Sequence, residues 1–106
     1  MASKPIRPDP TRPPVHPGAI LREDVLPALR RTVSSVASDL GVSRQMLHRI
    51  LAEQAPITPE MALRIGKFCG NGADFWLRMQ QAHDLWHAER ALGRALEKIP
   101  VAEEAA

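Results

Sequence analysis

Residues 40–51, LGVSRQMLHRIL, decide the fold because they join a turn signal to a short amphipathic helix. Leu47, Ile50 and Leu51 recur at helical spacing and predict one buried face. Ser43 stands directly before this helix, where its hydroxyl can accept a backbone N–H of the first turn. The outer face carries long hydrogen-bonding side chains instead: Arg44, Gln45, His48 and Arg49.

The residues around Gly41 predict a helix-turn-helix. The segment VSSVASDL precedes Gly41 as another short helix, and Thr32 supplies its N-cap. Helices that cross steeply need a small residue at the crossing, which Ala37 supplies, and a left-handed turn, which glycine makes at low cost. The crossing also needs apolar residues, which are Val36, Leu40, Val42, Leu47 and Ile50. In such a unit the polar start of the second helix enters the DNA major groove.

The polar residues of this second helix suit the reading of bases. Arg44 and Gln45 are expected to point at base edges, where arginine favours guanine O6 and N7 and glutamine favours adenine N6 and N7. Arg49 follows one turn later on the same face, and His48 lies beside it. The alternative interpretation is a capped surface helix whose polar side chains are only solvated.

Two phosphate contacts are predicted at helix starts. Ser43 can bond a phosphate as well as cap its helix, and the backbone N–H groups after Thr32 can hold another phosphate. Residues 30–67 carry six Arg or Lys residues against three acidic ones, within a chain of net charge +2. This basic segment is compatible with a polyanionic partner, although a solvated surface explains mild charge equally well.

The chain divides into three parts. Its 106 residues, 44% hydrophobic and 25% charged, suffice for one folded domain with one core. Residues 1–16 predict a flexible, proline-rich basic arm, because proline disfavours helices and central strands. That arm is either an inert leader or a segment that touches DNA or a protein. Residues 17–99 are predicted to form the domain, and residues 100–106 are predicted to form a frayed acidic tail.

Helices flank the helix-turn-helix on both sides, and no segment alternates with the period of a strand. PGAILREDVLPAL predicts a first helix that Pro27 limits or kinks. ITPEMALRIGKF predicts a fourth helix with Thr58 as its N-cap. The apolar faces are Ile20, Leu21, Val25 and Leu29 in the first helix, and Met61, Ala62, Ile65 and Phe68 in the fourth.

The last predicted helix begins near Ala73 and extends to about Lys98. Its first part carries a stripe that we expect to pack on the core: Phe75, Met79, Ala82 and Trp86. Its second part extends beyond what a core of this size needs to cover, so it predicts a dimer contact. The predicted contact residues are Leu85, Trp86, Leu92 and Leu96. The alternative is a core helix whose end frays at Gly93.

The segment HDLWH in this helix raises a rival interpretation. His83 and His87 lie four residues apart with Asp84 between them, which resembles the zinc-protease pattern H-E-x-x-H. Aspartate is one methylene shorter than the usual glutamate, and no third ligand follows at a usual spacing, although Glu89 is near. We therefore expect no metal, no other cofactor and no enzymatic activity.

Three features that the sequence lacks bear on where in the cell the protein is expected. The sequence contains no apolar run long enough for a membrane span and no apolar leader at its start. Cys69 is the only cysteine, so no internal disulfide can form. These features predict a cytoplasmic protein without a membrane partner.

Four motifs, in order over about residues 15–90, resemble the HigA-type antitoxins, a branch of the Xre/Cro-like helix-turn-helix repressors. The motifs are HPGAILREDVLPAL, VASDLGVSRQMLHRIL, ITPEMALRIGKFCG and DFWLRMQQAHDLWHA. The chain departs from the family pattern in AEQAP after the second helix of the unit, where an Asn-Gly or similar turn is common. It also has Gly66 where alanine is usual and His83 where tyrosine is common.

The resemblance implies an all-α fold: a five-helix, Xre/Cro-like and lambda-repressor-like domain with an extended C-terminal helix. It implies an antitoxin that binds and neutralises a HigB-like, RelE-like ribonuclease toxin. It also implies a homodimer that binds double-stranded operator DNA and represses its own operon. The alternative is a stand-alone repressor of the Xre family with no toxin partner, which this sequence alone does not separate from an antitoxin.

Overall fold

The computed structural model describes residues 11–103, so predictions for residues 1–10 and 104–106 lie outside the described part of the chain. The described residues form helices and no strand. Helix α1 has three consecutive segments, Pro17–Ile20, Leu21–Val25 and Leu26–Leu29, the middle one π-helical. The others are α2 (Val33–Leu40), α3 (Arg44–Leu51), α4 (Pro59–Cys69), α5 (Ala73–Leu92) and the short α6 (Arg94–Glu97). The predicted all-α architecture is confirmed, with the short α6 as a sixth helix where the prediction had one extended C-terminal helix.

Hydroxyl side chains begin the three central helices as predicted. Thr32 Oγ1 accepts the Ser35 N–H at 3.1 Å at the start of α2. Ser43 Oγ accepts the Met46 N–H at 3.0 Å at the start of α3. Thr58 caps α4 in the same way. Each bond satisfies a backbone donor that has no partner within its helix, so the sequence fixes where these helices begin.

The helix-turn-helix is the centre of the core. Gly41 ends α2 with a φ of 73°, the left-handed conformation that the turn requires. The buried residues of α2 and α3 meet apolar residues of α1, α4, α5 and the loop before α4. The central cluster is Leu21, Val36, Ala37, Leu40, Leu47, Ile50, Leu51, Ala55, Ile57, Met61, Ala62, Ile65 and Trp76. The predicted inward faces of α2, α3 and α4 are confirmed.

Helix α1 contains a π-helical turn just before Pro27. The Leu26 N–H bonds to the Leu21 carbonyl, one residue further back than in an α-helix. Pro27 has no N–H, so the usual bond to the Glu23 carbonyl cannot form. The wider turn rotates the residues after it about the helix axis. Leu29 is 39% exposed, yet it lines one groove with Ile20 and Val25, so it lies on the predicted side of the helix without being buried.

Helix α5 packs on the core through a stripe that only partly matches the predicted one: Met79 packs against the core as predicted. Trp76 and Gln80 are buried, whereas Phe75 and Ala82 are exposed. The Gln80 side chain faces inward because its Oε1 accepts the Ile57 N–H at 2.8 Å. This bond satisfies a backbone donor in the loop before α4, which a hydrophobic side chain cannot do.

The C-terminal helix is also shorter than predicted. Helix α5 ends at Leu92, and Gly93 takes φ 51° and ψ −124°, which breaks the helix before α6. The long helix therefore ends at Leu92, whereas the prediction placed its end at about Lys98. The alternative of an end at Gly93 therefore describes the helix boundary correctly, although α5 is packed on the core only in its first half.

Gly66 has a packing role that explains its departure from the family's alanine. A Cβ at this position would lie 2.4 Å from the backbone carbon of Gly72 and 2.5 Å from the backbone nitrogen of Ala73. The Gly66 carbonyl also accepts the N–H of Gly70 and of Gly72. The turn between α4 and α5 thus rests directly on the backbone of α4, in space that only glycine leaves open.

Candidate nucleic-acid interface

The outer face of α3 presents a row of polar side chains to solvent. Arg44, Gln45, His48 and Arg49 are all exposed. Within residues 11–103, no hydrogen bond, ion pair or ring contact holds any of these four side chains. The buried face of the same helix, Leu47, Ile50 and Leu51, anchors α3 in the core. The four polar side chains can therefore meet a ligand without breaking an internal bond.

Two other arginines around the unit, Arg31 and Arg64, differ in this respect. Arg31 pairs with Asp39 at 2.6 Å and also bonds the Ser35 hydroxyl at 2.7 Å. Arg64 pairs with Glu60 at 3.0 Å. The basic charge that sequence reasoning assigned to residues 30–67 is thus partly neutralised inside the domain. Within residues 11–103, no carboxylate neutralises Arg44 or Arg49 in this way.

The two capping residues lie at the surface beside this face. Thr32 and Ser43 are exposed, and each hydroxyl already accepts a backbone N–H of its own helix. A hydroxyl that accepts one bond can still donate its own hydrogen to a phosphate oxygen. The starts of α2 and α3 thereby offer hydroxyl donors next to the positive ends of two helix dipoles.

His16 was missed as a structural residue by sequence reasoning, which placed it in the arm. It is only 4% exposed, and its Nδ1 accepts the Gly18 N–H at 2.9 Å as the N-cap of α1. The folded domain therefore begins before residue 17. Burial, and next the charge of His83, lower the pKa of His16 below its ordinary value. The Pro-Gly dipeptide that follows a cap position was the available signal, because proline favours the first helical position.

The histidines of HDLWH form ring contacts and no metal site in the described part of the chain. The His83 ring lies 4.5 Å from the His87 ring and 4.9 Å from the His16 ring, between centroids. The His83 Nδ1 is 3.3 Å from an Asp84 carboxylate oxygen. Among residues 11–103, no group of three or more His, Cys, Asp or Glu side chains could hold a metal ion. The zinc-protease interpretation gains no support.

The second half of α5 and the segment after it carry the predicted dimer residues. Leu85 is 65% exposed, Leu92 is 50% exposed and Leu96 is 45% exposed. Trp86 is half-buried, with the Arg90 guanidinium carbon 3.4 Å from its ring centroid. Its Nε1 is buried without a hydrogen-bond partner in the described residues. We call Leu85, Leu92, Leu96 and Ile99 the C-terminal apolar patch.

A capped, glycine-linked helix pair with a free polar outer face defines a helix-turn-helix protein. No family model matches the chain. The chain is 41% identical over 78 residues to virulence-associated protein I of Dichelobacter nodosus. This match covers 74% of this chain and 72% of that protein. It is 31% identical over 75 residues to antitoxin HigA-1 of Vibrio cholerae, across 71% of this chain and 70% of the relative.

A comparison with solved structures also finds a HigA antitoxin. The structure of the Pseudomonas aeruginosa antitoxin HigA with the higBA promoter matches with a TM-score of 0.77 and 33% identity. The match covers 82% of this chain and 96% of that one. The chain belongs to the HigA-type branch of the Xre/Cro-like helix-turn-helix proteins. In the described residues, no helix is long and apolar enough to cross a membrane.

Proposed function

We propose that this protein is an antitoxin that binds the operator of its own operon as a dimer and neutralises a HigB-like ribonuclease toxin. The proposal that the protein binds operator DNA rests on the outer face of α3. Its four long polar side chains are exposed and have no partner within residues 11–103. The relatives named as antitoxins support the toxin part.

The recognition mechanism follows from side-chain chemistry. Arg44 and Arg49 each offer a planar fork of N–H donors that fits guanine O6 and N7, and Gln45 fits adenine N6 and N7. His48 lies on the same face and adds a further polar contact. Ser43 and Thr32 would hold backbone phosphates on either side, which sets the register of α3 in the groove.

Arg44→Ala tests this assignment. We expect a loss of about 1–3 kcal/mol in operator binding and a relaxed preference at one base position. The probe is a duplex from the region upstream of the chain's own gene, compared with a scrambled duplex of equal length. Arg78→Ala is the matched control, because Arg78 is also an exposed arginine but lies on α5. Equal binding by the parent and by Ala variants at 44, 45 and 49 would refute the assignment.

The dimer part rests on the C-terminal apolar patch. Four large apolar side chains lie exposed beyond the part of α5 that covers the core. A homodimer built there would place two α3 helices to read a two-fold operator, about 34 Å apart or a multiple of that. Sedimentation of a chain ending at Glu89 should show weaker dimerisation than the full chain. A full-length chain that is monomeric at micromolar concentration, alone and on DNA, would contradict the dimer.

The toxin part is tested by separating the two activities. The double variant Arg44→Ala, Arg49→Ala should lose repression and still protect cells from a co-expressed small basic toxin encoded beside this gene. Both positions are exposed, so each change should alter stability by less than about 0.5 kcal/mol. Loss of protection by a folded double variant would place the toxin on α3 as well. If no neighbouring gene product binds the chain, the stand-alone Xre-type repressor becomes the better interpretation.

A further inference from the structure

Two arginines from outside the helix-turn-helix bind backbone carbonyls at the ends of its two helices. Arg64 of α4 donates from Nη1 to the Leu40 carbonyl at 2.9 Å and to the Gly41 carbonyl at 3.5 Å. Arg22 of α1 donates from Nη1 to the Leu51 carbonyl at 2.7 Å. Leu40 is the last residue of α2 and Leu51 is the last residue of α3.

These are the positions where a cation helps most. The last carbonyls of a helix have no partner within it, and the negative end of the helix dipole lies there. A guanidinium satisfies both needs at once, because it is always charged and offers several N–H donors in a fixed plane. Each arginine therefore joins a helix of the unit to a helix outside it.

Carboxylates also hold each guanidinium. Glu60, one turn before Arg64 on α4, accepts from its Nη2 at 3.0 Å. Arg22 pairs with Glu53 at 3.2 Å and with Glu23 at 3.1 Å. Each arginine is thus held between a carbonyl and at least one carboxylate, which restricts its movement.

The backbone at both sites is turned into the left-handed region. Gly41 has a φ of 73° and Glu53 has a φ of 61°. For glutamate this conformation is unfavourable, and it persists where the surrounding structure over-determines it. At Gly41, a Cβ would lie 2.8 Å from Arg64 Nη1, so the arginine occupies the space above the turn.

We propose that Arg64 and Arg22 are positioning residues for DNA recognition, which fix the angle at which α3 leaves the rest of the domain. This inference rests on the proposed operator binding. Both arginines act on α3: Arg22 holds its C-terminal end, and Arg64 holds the end of α2 and the turn that leads into α3. The side chains proposed to read bases project from the helix between these two points. If either arginine is removed, we expect α3 to stay packed through its apolar face. The orientation of its axis relative to α1 and α4 should then become variable.

The test compares three variants that each remove one positive charge: Arg64→Met, Arg22→Met and the control Arg78→Met on α5. Binding is measured to a duplex from upstream of the chain's own gene and to a scrambled duplex of equal length. We expect Arg64→Met and Arg22→Met to weaken specific binding at least tenfold more than Arg78→Met does. Binding to the scrambled duplex should fall equally in all three.

Conservative variants separate positioning from folding. Arg64→Lys keeps the charge and one donor for the Leu40 carbonyl, so it should recover most of the specific binding. Glu60→Gln leaves the arginine in place but loosens it, and should lower specific binding by about threefold while circular dichroism shows a fully folded chain. These two variants test the proposal even if Arg64→Met does not fold.

Three results would overturn the inference. Equal losses on both duplexes that follow the folded fraction would show a purely structural role. Equal losses on both duplexes with a salt dependence reduced by about one ion would show a direct phosphate contact. Unchanged specific binding would show no role. A parent chain that prefers no duplex would refute the proposed operator binding itself, and the inference with it.

Discussion

Two regions of this chain use their apolar residues in opposite ways. Between residues 16 and 80, large apolar side chains converge on one core, and Ile50 and Ile65 are 0% exposed. Between residues 81 and 103, no side chain is fully buried, and Leu85 and Ile99 are each 65% exposed. The first region buries most of its large apolar side chains, although Leu63 is as exposed as Leu85, whereas the second region leaves its large apolar side chains largely exposed. Exposed apolar side chains grouped in this way are typical of association surfaces.

The boundary between the regions falls inside α5. Trp76 and Gln80 in its first half contact the core, and the helix then continues past the domain to Leu92. We infer that the first region determines the fold and that the second serves association.

The largest expected effect separates the two regions by stability. Trp76→Ala removes a side chain that is 1% exposed, so it should lower the free energy of unfolding by about 3–5 kcal/mol. Leu85→Ala, at 65% exposure, should change it by less than about 0.5 kcal/mol when the chain is monomeric. Urea unfolding at low protein concentration measures both. Similar losses of unfolding free energy in the two variants would show that the two regions contribute alike to stability.

The sequence predicted the first region well because its signals are local. Thr32, Ser43 and Thr58 each precede a helix by one position, and their capping bonds span three residues. Gly41 similarly ends α2 through its own backbone conformation. The exposed outer face of α3 followed directly from its helical periodicity. Its role in DNA recognition stays a prediction, as do the predicted dimer contacts.

The errors lie where a residue's place depends on distant groups. Gln80 faces the core because of the Ile57 N–H, which is 23 residues away in sequence. Because glutamine is polar, hydropathy alone places Gln80 on the outer face of the helix. The predicted core-facing stripe therefore passed through Phe75 and Ala82 instead. His16 is buried for a related reason, since its ring packs against His83 of α5, although Pro17 after it did signal a cap position. The π turn in α1 is likewise a feature that a regular helical period does not describe.

The next largest effect concerns association. Leu85→Ser should raise the dimer dissociation constant roughly 10–100-fold, because burying a leucine is worth about 1.5–3 kcal/mol. Leu63→Ser is the matched control, since Leu63 is also 65% exposed but lies on α4. Analytical ultracentrifugation over a range of concentrations compares the two. If Leu63→Ser weakens the dimer and Leu85→Ser does not, the interface lies on α4 instead.

A smaller effect is expected from the cap of α3. Ser43→Ala removes the acceptor for the Met46 N–H, so it should lower stability by about 1 kcal/mol. Ser34→Ala provides a control, because Ser34 is an exposed serine of α2 and has no capping bond. Thermal unfolding distinguishes them. The dimer dissociation constant should not change in either variant, so a change there would connect the two regions.

The smallest effect is a pH dependence at the contact between the regions, where His16 meets His83. Burial, and next the charge of His83, lower the pKa of His16 below 6.5 in the folded chain, against the smaller opposing effects of Glu53 and Asp84. The neutral ring is therefore the stable folded form, and its unprotonated Nδ1 accepts the Gly18 N–H. The stabilisation is present above pH 6.5 and is lost as the pH falls through the lowered pKa.

His16→Asn separates this effect from other titrations, because asparagine also caps helices but does not titrate. The parent should lose stability more steeply than His16→Asn between pH 7.5 and about pH 5, because only the parent must take up a proton at a buried cap. Urea unfolding of both proteins at each pH measures the difference. Parallel curves would show that His16 keeps its ordinary pKa in the folded chain. They would also show that α1 is docked on α5 without a penalty for charging this ring.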